Sequence, residues 1–185
     1  MRAFVTGAEG FIGRALSERL RGDGWEVAGV DFAAVPERAV VAGDVAEPGP
    51  WQRAANGAEV VVHTAAIVSN AHGLDTSWRV NVLGTRRALD AAVAAGARRF
   101  VHVSSVRAFS DLGFPPGVEE THPVRPDGNP YVDTKIASEE DRLALYQERL
   151  EERFARLETT LAELNATSEA VASQIESLNG NSSDD

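Results

Sequence analysis

Residues 6–13 read Thr-Gly-Ala-Glu-Gly-Phe-Ile-Gly, with glycine at positions 7, 10 and 13. The preceding residues, MRAFVTG, form a short apolar run rich in strand formers. The following ones, FIGRALSERLRGDG, place apolar residues at Phe11, Ile12, Ala15, Leu16 and Leu20, a helical spacing stopped by Gly22 and Gly24. A strand that turns through glycine into a helix has a physical use. The turn is tight, helix and strand pack closely, and a dinucleotide pyrophosphate can approach a backbone without Cβ atoms. The helix N-terminus then offers N–H groups and the positive end of a dipole to phosphate. Out of context the same pattern is a bare glycine-rich turn.

The context extends along the chain. WEVAGVD, RAVVAGDV, AEVVVHTAA and RRFVHVSS read as strands 2 to 5, and DTSWRVNVLGTRRALDAAVAAG as a second long helix. The strands are almost unbroken apolar runs, the pattern of a parallel sheet covered on both faces. Right-handed crossovers then predict an α/β, Rossmann-like, doubly wound parallel sheet in the order 3-2-1-4-5. Asp31 ends strand 2, eighteen residues after Gly13. A carboxylate there accepts hydrogen bonds from an adenosine ribose and repels a 2′-phosphate, which predicts NAD rather than NADP.

Lys135 is the only lysine, four residues after Tyr131, one of two tyrosines. Asn129 fits a helix cap and Pro130 the first helical position, so Tyr131 and Lys135 fall on one helix face. A phenol near pKa 10 is a poor acid–base at neutral pH, and an adjacent ammonium favours its phenolate. Arginine would replace that compact charge with a bulky planar fork. The plainer alternative is that the two residues dress a helix surface.

Together these stretches resemble the extended, epimerase/dehydratase-like branch of the short-chain dehydrogenase/reductase superfamily. The motifs are T-G-A-E-G-F-I-G, Asp44-Val45, H-T-A-A at 63–66, N-V-L-G-T at 81–85, S-S at 104–105 and Y-V-D-T-K at 131–135. The resemblance implies NAD as cofactor, held by Gly7, Gly10, Phe11, Ile12, Gly13, Asp31, Asp44, Val45, Ala65, Ala66, Asn81, Tyr131 and Lys135. It implies Tyr131 as general acid/base, with Lys135 lowering its pKa and holding the nicotinamide ribose. Ser105 would bind the substrate oxygen, leaving Ser104 a structural part. The reaction class is hydride transfer at a carbinol carbon of a small-molecule substrate.

Composition narrows the alternatives. The 185 residues include no cysteine, which excludes disulfides and thiolate metal sites. The four histidines lack metal-ligand spacing, so no metal is expected. No signal-peptide pattern or membrane-spanning run is present, and a cytoplasmic location without membrane attachment is expected. The net charge of −10 is uneven: residues 1–137 hold 16 acidic and 14 basic side chains, residues 138–185 hold 12 and 4. An acidic tail repels a phosphate backbone, so nucleic acid is not an expected partner.

Beyond residue 137 the family pattern stops: neither a sixth strand nor an R-P-x-x-x-Y-G-P-like motif follows. Leu143, Leu150, Leu157, Leu164, Val171 and Leu178 recur every seven residues, with Gln147, Phe154, Leu161, Ser168 and Ile175 at the a positions. Such heptads predict a coiled coil and a homo-oligomer; the alternative reading of the same segment is an ordinary amphipathic helix folded back onto the sheet. No glycine or proline interrupts residues 131–179, so one helix of ~70 Å is expected. The stretch around Arg153-Phe154, Leu157-Glu158, Leu164-Asn165, Thr167-Ser168 and Gln174 also resembles the C-terminal helix of the flagellar filament-capping protein, which implies a fusion. The expected organisation is a truncated NAD-binding domain (1–137), a heptad helix (138–179) and a disordered tail (180–185). One reading is an enzyme impaired by a missing substrate domain. The others are a coiled-coil or filament-cap-like protein with a vestigial Rossmann passenger, and a truncated fold with no function of its own.

Overall fold

The computed structural model describes residues 1–69, 72–109, 119 and 121–180; along the last helix the side chains are described in part. The first half alternates strand and helix: β1 (Arg2–Thr6), α1 (Phe11–Gly22), β2 (Glu26–Asp31), a 3-10 turn at Pro36–Arg38, and β3 (Val40–Ala42). Then come α2 (Trp51–Ala54), β4 (Val60–His63), α3 (Leu74–Trp78), a π-helical turn at Arg79–Leu83, α4 (Gly84–Ala94) and β5 (Arg99–His102). A 3-10 turn at Val106–Phe109 precedes α5 (Pro130–Gly180).

The five strands form one sheet in the order β3-β2-β1-β4-β5, parallel throughout, as the sequence predicts. Successive side chains of a strand point to opposite faces, and the core divides accordingly. Phe4, Ala28, Val30 and Val61 pack with Trp51, Val80, Ala91 and Ala92 on the α2/α4 face. Ala3, Val5, Val27 and Val62 pack with Leu16 and Leu20 on the α1 face. The register aligns Thr6 with Val30, Thr6 with His63, and His63 with His102, so the carboxyl ends of the strands lie level.

Two elements depart from the sequence reading. The helix expected through DTSWRVNVLGTRRALDAAVAAG is interrupted at Arg79–Leu83 by a π turn centred on Asn81. Such turns inside helices often mark functional positions. α2 is too short, at four residues, to show any period; what fixes it is Trp51, buried and donating from its ring to Glu47 O at 3.0 Å.

The chain forms two compact units, Met1–Arg142 and Leu143–Asp185. The long helix expected after Tyr131 is present, and its 51 residues cross from one unit into the other. In the second unit Leu143 and Leu164, two of the heptad leucines, are exposed. Thr159, Thr160 and Thr167 hydrogen-bond the carbonyl four residues back, which keeps their hydroxyls satisfied within the helix. The side chains of Leu150, Phe154, Leu157, Leu161, Ser168, Val171, Ile175 and Leu178, and the tail beyond Gly180, lie outside the described residues.

Candidate functional site

The turn between β1 and α1 is built around two glycines that have no room for a side chain. Gly7 has φ +66°, and a Cβ there would stand 2.9 Å from the Ala65 backbone. A Cβ on Gly13 would stand 2.1 Å from Gly7 O. Thr64 ties the turn to β1, its hydroxyl donating to Thr6 O at 2.6 Å. α1 therefore starts hard against the sheet. Its cap residue Gly10 brings no side chain to the first amides, and its first turn holds no acidic residue. Those amides lack an intrahelical acceptor and carry the positive end of the helix dipole.

Above this start lies a cavity of about 460 Å³. Gly7, Gly10, Phe11, Ile12, Gly13, Asp31, Val45, Ala65 and Ala66, nine of the residues the sequence selects, line it. Gly43, Thr64, Ile67, Val68 and Val80 complete much of its largely apolar wall. Asp31 is pinned at the rim: Oδ2 accepts the Glu9 N–H at 2.9 Å and Oδ1 the Phe32 N–H at 2.8 Å. A carboxylate oxygen has lone pairs to spare after one such bond.

The other selected residues do not line this cavity. Asp44 commits Oδ1 to the Ala46 N–H and Oδ2 to Arg79 at 3.0 Å, and Arg79 also pairs with Glu47 at 2.9 Å. Asn81 is fully buried in the π turn. Its Oδ1 accepts the Ile67 N–H at 2.8 Å, and its Nδ2 donates to Ile67 O and to Thr134 Oγ1 at 2.9 Å. Asn81 thus fastens the loop after β4 to the start of α5.

Ser105 is half-buried after β5, where its Oγ accepts the Arg107 N–H. Asn129 caps α5, its Oδ1 accepting the Tyr131 N–H at 3.0 Å, with Pro130 first in the helix. Tyr131 packs against Ala108, Val132 and Ile136. Lys135, 4% exposed, donates from Nζ to Val103 O at 2.9 Å. Burial pushes its pKa down to about 8, and the nearby Glu139 carboxylate opposes the shift.

Beneath these residues lies a buried layer that sequence reasoning missed. His63 holds Thr6 Oγ1 at 2.7 Å through Nδ1 and Thr85 Oγ1 at 3.0 Å through Nε2. Its ring stacks on that of His102, centroids 5.6 Å apart. Burial, reinforced by the charges of His102 and Lys135, holds His63 well below the usual imidazole range. Burial and then Lys135 push His102 down to about 4, against the pull of Glu139. Both rings are neutral at pH 7. The signal available in sequence was register: Thr6, His63 and His102 sit at equivalent positions of three strands. Among the described residues no group of acidic or histidine side chains could hold a metal ion, and no helix is long and apolar enough to cross a membrane.

Comparison with known proteins places this geometry. The chain is 42% identical over 111 residues to a ceramide reductase of Caulobacter vibrioides, covering 56% of this chain and 34% of that protein. It is 37% identical over 165 residues to a UDP-glucose 4-epimerase of Mycolicibacterium smegmatis, covering 75% and 49%. Among solved structures it is similar to a short-chain dehydrogenase/reductase superfamily protein from Agrobacterium tumefaciens with bound NAD. That likeness has a TM-score of 0.68 at 39% identity, over 76% of this chain and 43% of that one. The chain spans half or less of the length of each. The family model for NAD dependent epimerases and dehydratases matches residues 3–179. The match runs through α5 and lends no support to a flagellar-cap origin for that helix. This chain belongs to the NAD dependent epimerase/dehydratase family.

Proposed function

We propose that the chain binds NAD, in preference to NADP, and supplies the dinucleotide-binding part of an oxidoreductase or epimerase acting at a carbinol carbon of a small molecule. The observation that carries this is the cavity over the uncapped start of α1, with the Asp31 carboxylate pinned at its rim. Its volume suits a nucleotide-sized ligand. Gly10 lets phosphate approach the first amides of α1, and Asp31 accepts from ribose hydroxyls and repels a 2′-phosphate. When bound, NAD would accept or return the hydride. Within the chain, Tyr131 is the proton donor and acceptor toward the substrate oxygen, and Ser105 hydrogen-bonds that oxygen. Lys135, one helical turn from Tyr131, keeps a positive charge at neutral pH, since its pKa of about 8 lies above 7. One of its three donors serves Val103 O, leaving others to turn toward Tyr131 or a ribose. NAD titration by calorimetry or cofactor fluorescence tests the reading. Binding is expected, weakened at least tenfold by Asp31→Arg, and no binding at millimolar NAD overturns it.

A second reading concerns α5 beyond residue 142. The exposure of the heptad leucines Leu143 and Leu164 favours a homo-oligomer through this helix. Sedimentation should show a multimer that becomes a monomer when residues 142–185 are removed; a monomeric full chain overturns it.

A further inference from the structure

The β1–α1 turn carries one acidic side chain, Glu9, between its glycines. The Glu9 backbone is joined to Asp31 through its N–H. Its carboxylate grips Arg38 with both oxygens: Arg38 Nε donates to Oε1 at 2.9 Å, and Nη2 donates to Oε2. Arg38 comes from the 3-10 turn after β2, and that turn is itself held. Arg21 of α1 donates to Arg38 O at 2.6 Å and to Val27 O at 3.1 Å. Both side chains of the Glu9–Arg38 pair keep some exposure, 21% and 31%, so the pair borders solvent rather than the core. Arg14 and Arg21 add their charges around the same carboxylate, which Arg38 holds below the ordinary glutamate range. The Arg38 guanidinium is therefore held by Glu9, whose backbone is bonded to the rim residue that would face an adenosine ribose, while Arg14 pairs with Glu18 at 3.0 Å.

A free guanidinium at that place is what a ribose 2′-phosphate requires, because phosphate is held by bidentate guanidinium contacts. We propose that Glu9 is a second cofactor-specificity residue: by holding Arg38 it masks a latent 2′-phosphate site beside Asp31. This rests on the reading of the cavity as a dinucleotide site. It predicts that removing the Asp31 charge alone gives little affinity for a 2′-phosphate, because Arg38 stays paired. Removing Glu9 as well releases Arg38.

The test titrates full-length variants with NAD, 5′-AMP and 2′,5′-ADP by calorimetry at low and high salt. Asp31→Ser should bind 2′,5′-ADP within about threefold of the unmodified chain. Asp31→Ser combined with Glu9→Gln should bind it at least tenfold tighter than Asp31→Ser, with a gain that shrinks in salt. Adding Arg38→Ala should remove that gain. The circular-dichroism spectrum and urea midpoint of each variant serve as the folding control, and Glu9→Ala is the second variant should Glu9→Gln fail it. If the variants are folded but the Glu9 change improves 2′,5′-ADP binding less than twofold, or Arg38→Ala leaves the gain intact, the proposal is overturned. If the unmodified chain binds neither NAD nor 5′-AMP, the dinucleotide reading falls and takes the proposal with it.

Discussion

Of the helices that follow the strands of this sheet, α1 and α5 begin differently. α5 starts with a complete cap: Asn129 takes the Tyr131 amide, Pro130 occupies the first position, and Asp133 complements the dipole. α1 starts with a glycine, no capping side chain and no acidic residue in its first turn. An uncapped start over a cavity leaves several amides for a ligand to satisfy, whereas a capped start has satisfied them already. The first arrangement is what the proposed binding site requires. The second fixes the position of Tyr131 and Lys135 on α5.

The comparison breaks most severely at the α1 start. A Cβ on Gly13 would meet Gly7 O at 2.1 Å, backbone against backbone, so nothing flexible can give way. Gly13→Ala should cost about 4 kcal/mol or more, read as a shifted midpoint in urea denaturation. Gly22→Ala, where a Cβ meets nothing within 4 Å, is the control and should stay within about 0.5 kcal/mol.

That contrast also says what was legible in the sequence. Gly7 and Gly13 carry their role in their identity, because a Cβ at either meets backbone within 3 Å, and Asp31 stands at a strand end that the apolar pattern locates. The sheet order followed from the same alternation of strand and helix. The π turn at Asn81 was hidden, because its residues keep a helical pattern and the break comes from hydrogen bonds to Ile67 and Thr134, fourteen and 53 residues away in the chain. The Glu9–Arg38 pair and the His63–His102 stack were hidden for the same reason. They join residues that only the register of the folded sheet brings together.

A smaller effect sharpens the α5 side. His102 has its pKa depressed to about 4, and His63 lies below the usual range, so the unfolded chain binds more protons than the folded one beneath pH ~6.5. The contribution of the two histidines is therefore fully present above pH ~6.5 and falls as the pH drops toward 4. His102 alone accounts for a loss on the order of 3 kcal/mol. The charged groups acting on it are Lys135, Glu139 and Arg142. Urea midpoints measured from pH 7 to pH 4 should show this slope, and His102→Phe should remove His102's share of it.

Lys135 is smaller again and opposite in meaning. Its burial depresses its pKa from 10.5 to about 8, so the folded chain at pH 7 carries a charge that it disfavours. Lys135→Met should stabilise the chain without ligand by about 2 kcal/mol, after the lost bond to Val103 O is allowed for. The unmodified chain should also gain stability as the pH rises from 8 to 10.5, and the variant should not. Isothermal denaturation at pH 7, 8, 9 and 10 reads both effects. A lysine that destabilises its own fold is best accounted for by work at the site, and a loss of stability in the variant would instead make it part of the core.

The smallest effect isolates the cap. Asn129 Oδ1 accepts the amides of Tyr131 at 3.0 Å and Val132 at 3.5 Å, two of the donors that α5 would otherwise leave unmade. Asn129→Ala should cost about 1 kcal/mol, with no change in NAD affinity, because the cap and the cavity belong to different helices. NAD added to the unmodified chain should raise stability through α1 instead, by an amount that grows with its concentration over Kd. Equal NAD stabilisation in the Asn129 variant would keep the two helix starts separate, one closed by its own side chain and one by its ligand. A diminished NAD stabilisation would mean that the Asn129 cap itself, and not only Lys135 on the same helix, bears on the nucleotide, and that the division between the two helix starts is drawn in the wrong place.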